Sequence, residues 1–233
     1  MNNYFDNLDA KVKQYFNILS DEIPKFLYDY IDTPEMQKQA GISVSCGNYY
    51  TNMNDCIWYS SLDHSVAVAL VIWNFTKDKK QAIAGLFHDI ATPAFKHCID
   101  FMNGDYSKQE STEELTYKII SDSKEIMNLL VRDNIKVDEV ADYKIYPIAD
   151  NDSPRLSSDR LEYTLSNGLG ATKKVWELSD VEEIYKDVEI RINEDGIEEL
   201  AFKTKEIAEK FVHGMGILSS TYVSSSNKFT MQL

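Results

Sequence analysis

The chain has 233 residues, of which 43% are hydrophobic and 12% aromatic, and a formal net charge of −14 at pH 7. That is enough apolar side chain for one substantial core, so residues 1–233 are read as a single domain. The acidic balance excludes a large nucleic-acid surface, because it repels phosphate backbones; a small anionic substrate would need concentrated positive charge, which a metal ion supplies most compactly.

No apolar run is long enough to span a bilayer, and the polar, charged start from Met1 to Leu19 does not look like a secretory signal. Cys46, Cys56 and Cys98 are odd in number and lack zinc-ligand spacing. They read as packing thiols in a reducing compartment, which points to the cytoplasm.

Leu8, Val12, Tyr15, Phe16 and Leu19 recur near helical spacing between Asn7 and Leu19. A second apolar patch runs from Ile23 to Ile31. Asp32-Thr33-Pro34-Glu35 looks like a helix start, with Thr33 as cap and Pro34 at the first helical position. Gly41 to Cys56 carries turn residues and reads as a loop. Ile57 to Phe75 is expected to be a long helix with His64 in its first half. Asp78 to Asp89 follows as a helix with Asp78 as cap, and Thr92-Pro93 breaks the chain. Further helices are expected over Phe95–Met102, Glu110–Ser121, Lys124–Arg132 and, despite poor alternation, Val137–Asp150. Asp150 to Pro154 is a turn cluster. Ser157 to Asn167 is helical and stops at Gly168. Glu189–Ile192 and Glu198–Phe202 flank Asn193-Glu194-Asp195-Gly196, a hairpin signal. Thr204 to Val223 is the last helix. The acidic stretch from Glu182 to Glu199 reads as a solvated face. The fold class is all-α, a compact helical bundle with a small β-hairpin near the C-terminal end, the hairpin and final helix occupying residues 186–224.

Chemistry concentrates between positions 64 and 97, which hold three of the four histidines: His64, His88 and His97. His213 lies apart and is assigned no function. The run Ala84-Gly85-Leu86-Phe87 stops at adjacent His88 and Asp89, polar groups that resist burial unless paired or coordinated. On a continuous helix neighbours point about 100° apart. The Thr92-Pro93 break lets both face one point. Asp159, opening a helix after Ser157 and Ser158, is the best candidate for a fourth ligand. Imidazoles with carboxylates suit a single divalent ion such as Mn, Fe, Co, Ni or Zn, with Mg less suited to imidazole.

The order His64, His88-Asp89, Asp159 on consecutive helices resembles the HD-domain metal-dependent phosphohydrolases, leaning to the deoxynucleoside triphosphate triphosphohydrolase-like branch. Tyr30 to Gln37, the run from Gly47-Asn48-Tyr49-Tyr50 to Asp63-His64-Ser65, His88 to His97 and Ser158 to Tyr163 carry the likeness, which covers about residues 30–170. The resemblance implies packed helices holding one metal through His64, His88, Asp89 and Asp159. It implies hydrolysis of a small phosphoester, such as a nucleotide, by a metal-activated water. His97 and Asp100 match positions near the scissile phosphate, where His97 could also serve only to hold the Pro93 loop and Asp100 only to partner it. Glu110 matches an acidic catalytic position but is equally an ordinary first-turn carboxylate. Arg160 and Tyr163 match positions facing phosphate and sugar. The resemblance is also compatible with a homo-oligomer. Gln109 and Thr92 stand where the triphosphohydrolases carry histidine, Ser61 where they carry arginine, and Val44 where they carry glutamine. These departures thin the grip on phosphate and give a second reading, a non-catalytic metal- or nucleotide-binding sensor domain.

Overall fold

The computed structural model describes residues 4–44, 59–94, 115–170 and 175–222, together with Ile99. The three cysteines, His97, Asp100 and Glu110, the expected helix over Phe95–Met102 apart from Ile99, and most of the expected loop after Gly41 lie outside these residues. Most of the described chain is helical, with one two-stranded antiparallel sheet.

Helix α1 (Ala10–Leu19) begins where Asp9 accepts a hydrogen bond from the Lys11 amide at 2.7 Å. It buries Val12, Tyr15, Phe16 and Leu19, the face its spacing predicts. Helix α2 (Lys25–Ile31) and the single turn α3 (Pro34–Gln37) follow. Pro34 opens α3 as expected, but Thr33 does not cap it with its side chain. The Thr33 hydroxyl donates instead to the Tyr30 carbonyl, 2.7 Å away, and so closes α2.

The core is built around α4 (Ser61–Thr76), in which every residue from Ser61 to Ile72 is buried. A helix apolar on all sides has to be surrounded, and α1, α5 and α8 pack against it. It starts at Ser61, four positions later than the sequence suggests. Ser60 and Asp63 form a reciprocal capping box there, and the side chain of Ser60 accepts from the Asp63 amide at 3.1 Å. Lys77 takes a left-handed conformation (φ 51°) and Asp78 caps the next helix, so α5 (Lys79–Phe87) folds straight back along α4. Gly85 makes that approach close, because a Cβ there would overlap the tip of Ile72.

Helices α6 (Thr116–Asp122) and α7 (Lys124–Arg132) pack together at one side. The next stretch differs from expectation. Val137–Asp150 is not one α-helix but two single 3-10 turns, Val137–Glu139 and Tyr143–Ile145. Asp142 accepts from the Lys144 amide, and Pro147 disfavours helix at Tyr146, so propagation stops. Helix α8 (Ser158–Gly170) runs two residues past Gly168. That glycine serves contact rather than termination: a Cβ on Gly168 or on Gly214 would overlap the Trp176 ring.

The acidic residues Glu182, Glu183, Glu194, Asp195 and Glu198 are exposed, as a solvated face requires, but helix α9 (Leu178–Lys186), which begins just before this stretch, is not among the expected elements. Val181, Ile184 and Tyr185 are buried at helical spacing, and Val188 continues inward from strand β1 (Val188–Ile192). Strand β2 (Glu198–Phe202) pairs antiparallel to β1, from Val188 opposite Phe202 to Ile192 opposite Glu198. Gly196 supplies the positive φ (78°) of the turn, as Asp-Gly predicts. Leu200 also bridges to Leu156, which fastens the hairpin to the segment leading into α8. Helix α10 (Lys205–Tyr222) packs on α8, α9 and β2. No described helix is long and apolar enough to cross a membrane.

Candidate metal centre

His64 lies one turn inside α4, and His88 directly follows α5. Because α5 runs back along α4, the two imidazoles meet, with their Nε2 atoms 3.2 Å apart. The chain leaves the helix at His88 itself, five residues before Pro93, in a run of turns from His88 to Ala91. The expected bend is present, but its cause lies upstream. Gln39, fully buried, donates from its amide to the Asp89 carbonyl at 2.6 Å and reaches the Ile90 carbonyl at 3.3 Å. Lys38 donates to the same Ile90 carbonyl at 3.0 Å. These donors satisfy carbonyls that a continuing helix would have used, so the turn is held open.

Asp159 comes from the first turn of α8, where the Arg160 amide donates to the Ser157 hydroxyl at 3.2 Å. Its Oδ1 is 3.2 Å from His64 Nε2 and 3.8 Å from His88 Nε2. Asp89 Oδ1 is 3.8 Å from His88 Nε2. One donor atom from each of His64, His88 and Asp89 lies within 4.8 Å of the others, a set close enough to hold a metal ion. Asp159 joins this set from the side of the histidines.

Each of these groups has a hydrogen-bond partner of its own, which for Asp89 engages the same oxygen that faces His88. His88 Nδ1 contacts the Gly85 carbonyl at 2.7 Å. Thr92 donates to Asp89 Oδ1 at 2.9 Å, and Tyr143 donates to Asp159 Oδ2 at 3.3 Å. His64 Nδ1 is bonded to Glu162 Oε2. Glu162 is fully buried, and its Oε1 accepts from Tyr15 at 3.1 Å and Tyr59 at 2.8 Å. Burial, reinforced by the Glu162 charge, raises both tyrosine pKa values well above normal, so both hydroxyls keep their protons.

The two carboxylates around His64 set the charge of the cluster. Burial alone would lower the His64 pKa, but the Glu162 and Asp159 carboxylates hold it at about 10. Burial would raise the Asp159 pKa, yet His64 and His88 keep it below the usual carboxylate value. Without an ion, the carboxylates retain a proton on His64 as the positive charge at their centre.

Of the four residues expected at one point, His64, His88 and Asp89 offer ligand atoms within 4.8 Å of one another, and Asp159 approaches the two histidines at 3.2 and 3.8 Å. Arg160 is placed otherwise. Its guanidinium reaches Asn151 Oδ1 at 3.0 Å, the Asn151 carbonyl at 2.8 Å and Asp150 Oδ1 at 3.2 Å, and it also bonds the Arg155 carbonyl. It thereby ties down the turn that precedes α8. Tyr163 is exposed on the same helix. Glu162, Tyr15, Tyr59, Tyr143 and Gln39 were not singled out from the sequence. Only Glu162 left a signal there, as a carboxylate three residues after Asp159 and so on the same helical face.

Against this geometry, comparison with known proteins adds little. The chain is 26% identical over 141 residues to YdhJ, an uncharacterized protein of Bacillus subtilis (strain 168); the match covers 60% of this chain and 42% of that protein. No family model and no solved structure matches the chain. The identity and coverage do not assign a family, and the relative carries no described activity.

Proposed function

We propose that this chain is a metal-dependent phosphohydrolase of the HD-domain type, acting on a small phosphoester, with nucleotides the first class to test. The observation that carries the reading is the convergence of His64, His88, Asp89 and Asp159 from three separate elements, each backed by its own hydrogen-bond partner. Ligand atoms about 2.0–2.2 Å from a shared ion lie roughly 3–4 Å from each other; His64 and His88 Nε2 are 3.2 Å apart, Asp159 Oδ1 is 3.2 and 3.8 Å from them, and Asp89 Oδ1 is 3.8 Å from His88 Nε2, which supports a single divalent ion among them. Mixed imidazole and carboxylate donors suit Mn, Fe, Co, Ni or Zn better than Mg.

When bound, such an ion supplies Lewis acidity, making a water nucleophilic near neutral pH and offsetting charge on phosphoryl oxygens. The chain's own residues do the rest. His64 and His88, buried and held at Nδ1, direct their Nε2 atoms to the centre. Asp89 and Asp159, less buried than the histidines, are held by Thr92 and Tyr143.

The test is metal analysis of the purified protein together with phosphate release from a nucleotide panel. Substitutions His88→Ala and Asp89→Ala should each abolish turnover and lower metal content. Full activity in either variant would end the proposal.

One observation favours a second reading, a sensor that binds a metal or nucleotide without turnover. The Arg160 guanidinium is engaged by the Asp150–Arg155 turn, and Ser61, where the resembling enzymes carry arginine, is fully buried. Both reduce the positive charge available to a triphosphate. Nucleotide binding without product under several metals would select this reading.

A further inference from the structure

The pair of tyrosines behind Glu162 has no evident need to be there for packing alone. Tyr15 comes from α1 and Tyr59 from the residue before the α4 cap, and both rings are buried, 6.0 Å apart between centroids. Phenylalanine would fill the same space without a hydroxyl to satisfy. Yet both hydroxyls converge on one oxygen, Glu162 Oε1, at 3.1 and 2.8 Å. Each also has a backbone carbonyl near it, but farther away: Glu162 O at 3.4 Å for Tyr15 and Asp63 O at 3.1 Å for Tyr59. A hydroxyl has one proton to give, and the shorter contact in each case is to Oε1.

From this convergence we propose that Glu162, held by Tyr15 and Tyr59, is a positioning residue that fixes the tautomer of His64. Two donors occupy Oε1, which leaves Oε2 to face His64 Nδ1; in this assignment the ring N–H donates to it. A neutral imidazole carries one N–H and one lone pair. With the N–H held at Nδ1, the lone pair sits at Nε2, the atom that lies 3.2 Å from both His88 Nε2 and Asp159 Oδ1. The opposite tautomer would point an N–H at the centre and close it to a cation. A carboxylate behind the ring also makes Nε2 more electron-rich and a stronger ligand. The inference rests on the metal reading above, since it assigns Glu162 a role only toward a ligated His64.

The test uses Co(II) alone as probe with the full chain. Affinity is read by titrating the visible absorption of the bound ion. The His64 ring N–H is read as a shifted, slowly exchanging proton resonance in the cobalt-loaded protein. Glu162→Gln should lower Co(II) affinity by about tenfold to a hundredfold, the usual effect of losing such an outer carboxylate. It should also speed exchange of the ring proton, a signature that a merely structural residue would not move. Tyr59→Phe keeps the ring and removes one donor, so it should shift both readouts in the same direction by less. Should Glu162→Gln not fold, Tyr59→Phe decides. Wild-type affinity and exchange in whichever folded variant is measured would overturn the role of Glu162 and leave the metal reading intact. Failure of the wild-type protein to bind Co(II) would overturn the metal reading and this inference together.

Discussion

Asp133, directly after α7, shows how a single side chain can hold several elements. Its carboxylate accepts from the Tyr30 hydroxyl at 2.9 Å and pairs with Lys79 at 2.7 Å and Arg132 at 2.9 Å. It thus links the end of α2, the start of α5 and the end of α7. Burial would raise its pKa, but the hydrogen bonds from Arg132, Lys79 and Tyr30 bring it well below the usual carboxylate range. A carboxyl lowered in this way stabilises the folded state at any pH above its unfolded value of about 3.9, and that contribution fades as pH falls through the folded value. Asp133→Asn should therefore cost about 1–2 kcal/mol near neutral pH, the partial exposure of Lys79 and Arg132 keeping it below a fully buried pair. Urea unfolding should show the wild-type advantage shrinking between about pH 5 and pH 1. A difference independent of pH would mean that the charge is not what matters. At this scale the sequence named the groups able to bind a cation, but not the groups behind them. A tyrosine at position 15 reads as core from its spacing, and nothing local shows that its hydroxyl meets a carboxylate 147 positions away.

The elements are placed by caps and close contacts more than by propensity. Ser60 and Asp63 set the first residue of α4, and so set how far His64 lies from the helix end. Removing the cap by Ser60→Ala should destabilise the fold by about 1 kcal/mol. Denaturant unfolding should show this as a lower midpoint with unchanged slope. Trp176 lies against Gly168 on α8 and Gly214 on α10, with no room for a methyl group on either side. Gly168→Ala would gain up to about 1 kcal/mol in helix propensity. It would lose about 1–3 kcal/mol to overpacking against a rigid indole. The clash should win, because the ring is confined from both helices; a higher melting temperature would show that Trp176 can move. The same contact explains why Gly168 misled as a helix stop. Gly in a helix is read from sequence as an ending, whereas its use here depends on a residue eight positions later.

On the scale of the molecule, the candidate centre ties the α4–α5 hairpin to α8 and, through Tyr15, to α1. An ion that binds the folded chain and not the unfolded one must stabilise the whole core. At a free concentration of about one hundred times Kd the gain is about 2.7 kcal/mol. Mn, Co or Zn should raise the melting temperature, and a chelator should reverse the rise. Identical melting with metal and with chelator would remove the basis of the proposed function. His88→Ala should also lose the metal-dependent rise, because its imidazole is one of the donors nearest the centre.

The sequence by itself determined a mostly helical chain and the terminal hairpin with its Asp-Gly turn, and it pointed to the His64, His88 and Asp89 cluster. Those features rest on periodicity, turn chemistry and residue type, all of which are local. Only the tertiary structure decided where α4 begins, that residues 137–150 fold as short turns, that α9 exists within an acidic run, and that Glu162 stands behind His64. The α4 cap and the turns over 137–150 rest on short-range side-chain-to-backbone bonds that periodicity does not register; the buried face of α9 and the Glu162–His64 contact depend on partners distant in the chain, and the free energy of such contacts is fixed when elements pack, not when they form.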